Sequence, residues 1–517
     1  MRTDWSTAQS TAVEALDAVT TGTGGSLPME AALGGPSLPT VTWADFTAGL
    51  DEDFGAVDPV DLLPSLRGLS TDELRAWADA NPEASKVLAN NKLMGPFLPG
   101  TPEATMAAAM PNDSHTAQWG IDRVREGWLD LDAKDQEKLL LLYPGVFGNL
   151  NGVPMANRAK ANIITVAGNR EQTREQLEDY PPEPQRSDYS RDTSGGRGSI
   201  LGDRGTSEFI GDHAAWLAEK RRLETVAQGL DYAMDHDTQV VLISTEGDGR
   251  VVAMNGTPSS STNNVSTLIP GTGADLGELG SYTDRLDAID GKQDSSRVSF
   301  YWQGADLPDE LDDNLTSKYN DDGGPSLAAF DYAVDAEVPE SARTSYVGYS
   351  AGAPLLGTAE RQGLDSTNII YVAPAGIGHD VGSPDDTDNE NAHRYWVQTR
   401  DDPIQIAQDF GGGFHGPSFI QGSNPALQMG ATRLETGFVD PDDPESLMSG
   451  HTDYFGPRST AAMNIAGIID GTRVSRYVPD MVGMGPGGQS YSPVEKYPER
   501  YSSENFEMTD VTSLEDE

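Results

Sequence analysis

From Thr238 to Ile469 the chain alternates short apolar runs with loops and helix-period stretches, and this alternation constrains the fold more than any other feature. The runs are Thr238 to Ile243, Arg250 to Met254, Val265 to Ile269, Val298 to Trp302, Thr344 to Gly348, Asn368 to Val372, Tyr395 to Val397 and Arg433 to Gly437. The first two flank Glu246-Gly247-Asp248-Gly249, whose residues tolerate positive φ and signal a hairpin. Helix candidates occupy Ser326 to Val334, Gly352 to Arg361 and Arg458 to Ile469. Strands alternating with helices predict an α/β fold, a mostly parallel sheet covered on both faces, with its reactive edge beyond the strand C-termini.

The chain's 517 residues allow one large domain with an extra layer, or two to three modules. Its 37% hydrophobic residues, 56 Gly and 33 Pro fit a loop-rich globular protein. The absence of cysteine excludes disulfide scaffolds, zinc-thiolate and iron–sulfur centres and cysteine nucleophiles. With 82 acidic against 35 basic residues the net charge is -47, which opposes binding to nucleic acid and anionic lipid. No run reaches the roughly 18 apolar residues of a membrane span, and the start, Met1-Arg2-Thr3-Asp4-Trp5, lacks a charged-then-apolar signal pattern. A cytoplasmic protein is expected, with signal-less export as the alternative.

Residues 1–179 read as a helical region, a layer and not a catalytic unit of its own. Ser70 and Glu73 form a capping box ahead of Leu74 and Trp77, and helical periods run from Asp132 to Leu142 and from Pro154 to Glu178. Residues 180–207, rich in Pro, Ser, Gly, Arg and Asp, predict a linker or loop, and a helix is expected from Asp212 to Met234. An α/β unit is expected over 208–485. The acidic stretch 486–517, without periodic apolar positions, is expected to be disordered.

The sharpest local signal is Gly348-Tyr349-Ser350-Ala351-Gly352, preceded by an apolar strand and followed by a small, apolar helix start. Gly-x-Ser-x-Gly is the spacing of a nucleophile elbow, in which a strand turns abruptly into a helix and only small residues two positions away avoid a collision. A serine hydroxyl needs an imidazole to take its proton, and the imidazole needs a carboxylate to fix its tautomer. With the order Ser, acid, His, four of the seven histidines qualify: His379, His393, His415 and His451. His451, after the last strand and before the last helix, is the expected base. Asp402, held extended ahead of Pro403 at the end of the Tyr395 strand, is the expected acid, with Asp401 and Asp380 as alternatives. The oxyanion donors are expected to be the amide of Ala351 and that of Gly271 or Thr272, in Pro270-Gly271-Thr272-Gly273 after a strand. That loop lacks the Lys and spacing of a phosphate-binding loop. The acidic loop Gly376 to Asn391 and Gly411-Gly412-Gly413-Phe414 are candidate cap segments.

These blocks together resemble a group of actinobacterial α/β-hydrolases of largely unassigned function. The resemblance rests on Pro144-x-x-x-Gly148-Asn149-Leu150-x-Gly152-Val153-Pro154 with Arg158 and Asn162, on Glu246 to Arg250, and on Pro270 to Gly273. The elbow, Arg400-x-Asp402-Pro403-Ile404 and His451-x-Asp453-Tyr454-Phe455 complete it, so that it spans about Leu139 to Asp470. It implies an α/β-hydrolase fold and a serine hydrolase of the esterase or lipase type, with Ser350, Asp402 and His451 as nucleophile, acid and base. No cofactor and no metal are implied. Where the family elbow usually carries His this chain has Tyr349, a departure that bears on substrate and not on geometry. The overall acidity favours neutral acyl substrates over anionic ones. The alternative reading is a catalytically silent binding module, joined through its N-terminal helices to a protein partner, for instance in a secretion system.

Overall fold

The structure is a computed structural model. It describes residues 58–110, 118–189, 204–290, 296–311, 313–405, 408, 416, 424–451, 453–479, 481–482, 490–491 and 501–515. The eight apolar runs form one eight-stranded sheet of order β1-β2-β4-β3-β5-β6-β7-β8. Its strands are β1 (Gln239–Ser244), β2 (Arg250–Gly256), β3 (Asn264–Ile269), β4 (Arg297–Gln303), β5 (Arg343–Tyr349), β6 (Asn368–Val372), β7 (His393–Val397) and β8 (Thr432–Leu434). β1 and β2 form the expected hairpin, and β2 also runs antiparallel to β4. All pairings from β4 through β3 to β8 are parallel. Full burial on both faces explains why these strands read as continuous apolar runs and not as alternating ones: every residue of β4 and of β6 is buried.

Helices α1 (Thr71–Ala80), α2 (Pro82–Ala89), α3 (Met155–Glu178) and α4 (Arg204–Asp235) precede the sheet. α5 (Leu279–Ile289), α6 (Lys318–Asp335), α7 (Gly352–Glu360) and α8 (Thr460–Asp470) connect its strands or follow them. The Ser70–Glu73 capping box forms as the sequence implies, the Ser70 hydroxyl accepting the Glu73 N–H and the Glu73 carboxylate accepting the Ser70 N–H. Of the region 1–179, residues 1–57 and 111–117 lie outside the described residues.

The helical layer shares one apolar core with the sheet. Leu74, Leu88, Ile164 and Val166 are buried together with Val241, Ile243 and Val252. Two asparagines fasten the layer to β1, the edge strand. Asn149 donates to the Ile243 carbonyl (3.1 Å) and accepts the Ile243 N–H (2.8 Å), as a neighbouring strand would. Asn162 donates to the Val240 carbonyl (3.0 Å) and to that of Gly148 (2.7 Å). The Gly148-Asn149-Leu150 block therefore closes an edge that would otherwise offer unpaired backbone groups to another chain.

Two boundaries differ from expectation. α4 begins at Arg204, inside the stretch read as a linker, and Tyr180 and Trp216 tie the chain before it to that helix through bonds to the Trp216 and Pro181 carbonyls. Residues 190–203 lie outside the described residues. The expected disorder of the last segment does not hold for 501–515. Tyr501 and Phe506 are buried with Phe438. Met508–Asp510 pairs antiparallel with Arg473–Ser475, Val511 and Leu514 enter the main core, and Glu515 pairs with Arg343. The apolar residues there follow no single period because the chain passes within a few residues from turn to strand to helix.

A buried carboxylate on α6 gives a measurable signature. Asp331 is 2% exposed and accepts from the Tyr346 hydroxyl (2.6 Å) on β5 and from the Asp365 N–H (3.0 Å). Burial, and then the neighbouring Asp335, push its carboxyl well above the ordinary range. The folded protein therefore retains a proton that the unfolded chain releases above about pH 4, so this contribution to stability is present below that pH and is lost as the pH rises through the elevated value. Wild-type melting temperature minus that of Asp331→Asn should fall across this interval. A difference independent of pH would contradict the raised carboxyl.

Candidate functional site

β5 ends at Tyr349 and α7 begins at Gly352, leaving Ser350 at the turn with φ of 53°. Such a left-handed conformation in a residue with a Cβ costs roughly 1–3 kcal/mol and persists only where the surroundings fix it. Here the Ser350 N–H donates to the Val372 carbonyl (3.0 Å), and its own carbonyl accepts from Ala375 (3.0 Å) and Ala353 (3.2 Å). The flanking glycines are required by space. A Cβ on Gly348 would lie 2.7 Å from the Ala353 Cα, and one on Gly352 would lie 2.4 Å from the Pro270 carbonyl oxygen.

The serine faces the predicted histidine. Ser350 Oγ lies 2.9 Å from His451 Nε2, and His451 Nδ1 lies 2.9 and 3.0 Å from the two oxygens of Asp402. All three residues are buried. A carboxylate opposite Nδ1 keeps the proton on that nitrogen and leaves Nε2 as the acceptor for the serine hydroxyl. Asp402 also accepts the Ile404 N–H (2.9 Å) and the Tyr454 hydroxyl (2.7 Å). Burial, and then Asp402, push the Tyr454 phenol well above its ordinary range, so it stays a donor.

The histidine loop is held from several sides. Asp401, the alternative acid, accepts the Gly450 N–H (2.9 Å) and thereby fixes the residue before His451. Thr399 donates its hydroxyl to the Gly450 carbonyl (2.6 Å). Tyr349 donates to the His451 carbonyl (2.8 Å), and its ring lies against the imidazole at 5.5 Å and 24°. Asp380, the third candidate acid, stands instead beside His379, 3.9 Å from its Nε2.

Arg400, next to the acid pair, reaches across to the C-terminal segment. It forms a double hydrogen bond to Glu435 (2.9 Å each), donates to the Val478 carbonyl (2.7 Å), and lies over the rings of Tyr477 and Tyr501. Burial alone would raise the Glu435 carboxyl, but the bonds from Arg400 and Tyr501 hold it below its ordinary value. The hydrogen-bonding parts played by Tyr454, Asp401, Arg400 and Glu435 were not foreseen from the sequence. Arg400 and Tyr454 stood there only as members of the Arg400 and His451 blocks and Asp401 only as an alternative acid, while Glu435 carried no signal.

The Pro270–Gly273 loop touches the serine, since a Cβ on Gly271 would come within 2.8 Å of the Ser350 Cβ. Its two candidate donors differ. The Gly271 N–H already donates to the Tyr282 hydroxyl (3.2 Å), whereas the Thr272 and Ala351 amides have no protein acceptor among the described residues. The Thr272 side chain is held by the Asn314 amide (3.1 Å).

Of the other histidines, His379 pairs with Asp321 (2.8 Å) and His213 with Glu183 (2.8 Å), while His115 and His415 lie outside the described residues. The cap candidate Gly376 to Asn391 is anchored to α7: Asn389 donates to Glu360 (3.3 Å), which also pairs with Arg394 (2.6 Å). Gly411 to Phe414 lies outside the described residues. Among the described residues, the one set of acidic groups close enough to share a metal ion is Glu83, Glu171 and Glu175 in the helical layer. Lys86 lies 3.0 Å from Glu83 and 2.6 Å from Glu175, so that position already holds a cation. No helix among the described residues is long and apolar enough to cross a membrane.

Residues 246–411 match a family model described as alpha/beta hydrolase, a stretch that begins at the hairpin turn after β1, contains the Gly271 loop, Ser350 and Asp402, and ends before His451. Two uncharacterized proteins of Mycobacterium tuberculosis, MT2140 and Rv2079, are each 22% identical over 254 residues, covering 46% of this chain and 35% of the relative. The chain thus spans about a third of the length of these curated relatives.

Proposed function

We propose that this α/β-hydrolase-fold chain is a serine hydrolase that cleaves carboxylic ester bonds, or the related thioesters and amides, through an acyl-enzyme on Ser350. The observation that carries the reading is the unbroken run of contacts Ser350 Oγ, His451 Nε2, His451 Nδ1, Asp402, at 2.9 Å and 2.9 Å. In the proposed reaction Ser350 Oγ attacks the carbonyl carbon while its proton passes to His451 Nε2. Asp402 stabilises the imidazolium without taking the proton. The tetrahedral oxyanion is held by backbone N–H groups that include Ala351. As the intermediate collapses, the leaving oxygen, sulfur or nitrogen takes the proton from Nε2. Water, deprotonated by the same nitrogen, then releases the acid from Ser350.

Catalysis is favoured over a silent binding module on a physical ground. A buried carboxylate–imidazole–hydroxyl chain attached to a strained turn costs stability, and a domain that only binds would have no use for it. The test is covalent labelling with a fluorophosphonate probe. Wild-type protein should be modified at Ser350, and Ser350→Ala should take up no probe. Folded wild-type protein that stays unlabelled would refute the assignment. A panel of p-nitrophenyl esters of graded chain length then reads the acyl preference.

A further inference from the structure

The serine-hydrolase reading requires two donors for the oxyanion, and the loop after β3 offers four consecutive amides from which the second could come. Three are committed. Gly273 donates to the Pro308 carbonyl (2.7 Å), Ala274 to the Gly271 carbonyl (3.3 Å), and Gly271 to the Tyr282 hydroxyl (3.2 Å). Thr272 alone keeps a free N–H among the described residues, one peptide bond from the glycine that touches Ser350.

Tyr282 is held rigidly in the first turn of α5. It is 4% exposed, its ring stacks on Tyr301 at 5.0 Å and 9°, and the Arg285 guanidinium lies 4.4 Å from its centre. Burial raises its phenol above the ordinary value, so the hydroxyl stays neutral and its oxygen remains a steady acceptor. From these contacts, and resting on the reading above, we propose that Tyr282 is the positioning residue of the oxyanion site. By accepting the Gly271 N–H it fixes the peptide between Pro270 and Gly271 and leaves Thr272, together with Ala351, as the donor pair. Asn314 steadies the same loop from the side-chain end of Thr272.

The two possible donors predict opposite outcomes for Tyr282→Phe, which removes one oxygen and keeps the stacked ring. If Thr272 is the donor, the loop loses its anchor and the amide drifts. A misplacement of about 1 Å can cost about 10²-fold, so kcat on a p-nitrophenyl ester should fall 10- to 100-fold with KM within about twofold. A boronic acid that mimics the tetrahedral state should bind more weakly by the same factor as kcat. A purely structural role would lower the melting temperature without that parallel loss. If Gly271 is the donor, freeing its N–H would leave kcat unchanged or raise it, and either result overturns the proposal. Thr272→Pro, which deletes the N–H itself, should cost about 10²- to 10³-fold, and a folded Thr272→Pro with full activity would also overturn it. Wild-type protein labelled by fluorophosphonate, with Tyr282→Phe fully active, removes only the positioning role. Unlabelled wild type removes the serine-hydrolase reading and this proposal together.

Discussion

His451→Ala is expected to lower kcat toward a p-nitrophenyl ester by about 10⁶-fold, with KM little changed, and the double variant with Ser350→Ala should be no slower. The expectation follows from the 2.9 Å contact between Nε2 and Ser350 Oγ: nothing else among the described residues stands at that hydroxyl to receive its proton. Hydroxyl and imidazole act as one unit, so losing either removes the whole nucleophilic route and the second loss adds nothing. What remains over the uncatalysed reaction is the contribution of binding and the oxyanion donors. Steady-state kinetics on the two single variants and the double variant tests this. Additive losses would mean that the two side chains do not work together.

Asp402→Asn should cost about 10⁴-fold in kcat while the protein keeps its fold. The carboxylate accepts bonds from His451, Ile404 and Tyr454. An amide there can keep one oxygen toward the Ile404 N–H and turn its NH₂ toward Tyr454, whose hydroxyl can rotate to accept. The change is then tolerated sterically, but Nδ1 faces a neutral amide oxygen in place of one carboxylate oxygen and an NH₂ in place of the other. The ring therefore loses both the negative charge that stabilises its imidazolium and the firm preference for a proton on Nδ1, so Nε2 takes the Ser350 proton poorly. Fluorophosphonate labelling should slow in parallel with ester hydrolysis. A variant labelled at the wild-type rate would show that Asp402 does not set the tautomer.

The juxtaposition of both residues with Ser350 was legible in the sequence because the proposed chemistry is tied to chain order. The elbow glycines are dictated by close approach of backbone to backbone, Gly348 to Ala353 and Gly352 to Pro270, so the spacing itself carries the geometry. The sheet was readable for a similar reason: strands buried on both faces leave uninterrupted apolar runs. Tyr282 and Tyr454 were not readable. Each acts through a single hydroxyl on a group 11 or 52 residues away, and nothing in a local window distinguishes such a tyrosine from one that only fills space. Gly271 and Thr272 stayed equivalent in the sequence, since which amide is free depends on that distant hydroxyl. The last segment misled because 501–515 docks through scattered aromatics, a three-residue strand pair, two aliphatics and ion pairs, which leave no period to detect.

The bonds from Arg400 to Glu435 and Val478, with Tyr501 donating to Glu435, have a consequence for how the protein matures. The acid loop is buttressed by residues that the ribosome makes 35, 78 and 101 positions after Arg400. The sheet and the elbow can assemble on the nascent chain, but the carboxylate gains its final support only after Tyr501 has emerged from the exit tunnel. Activity should therefore switch on late in synthesis, and a chain lacking everything from Tyr501 onward should lose the Tyr501 bond to Glu435 and with it part of the support of the acid loop.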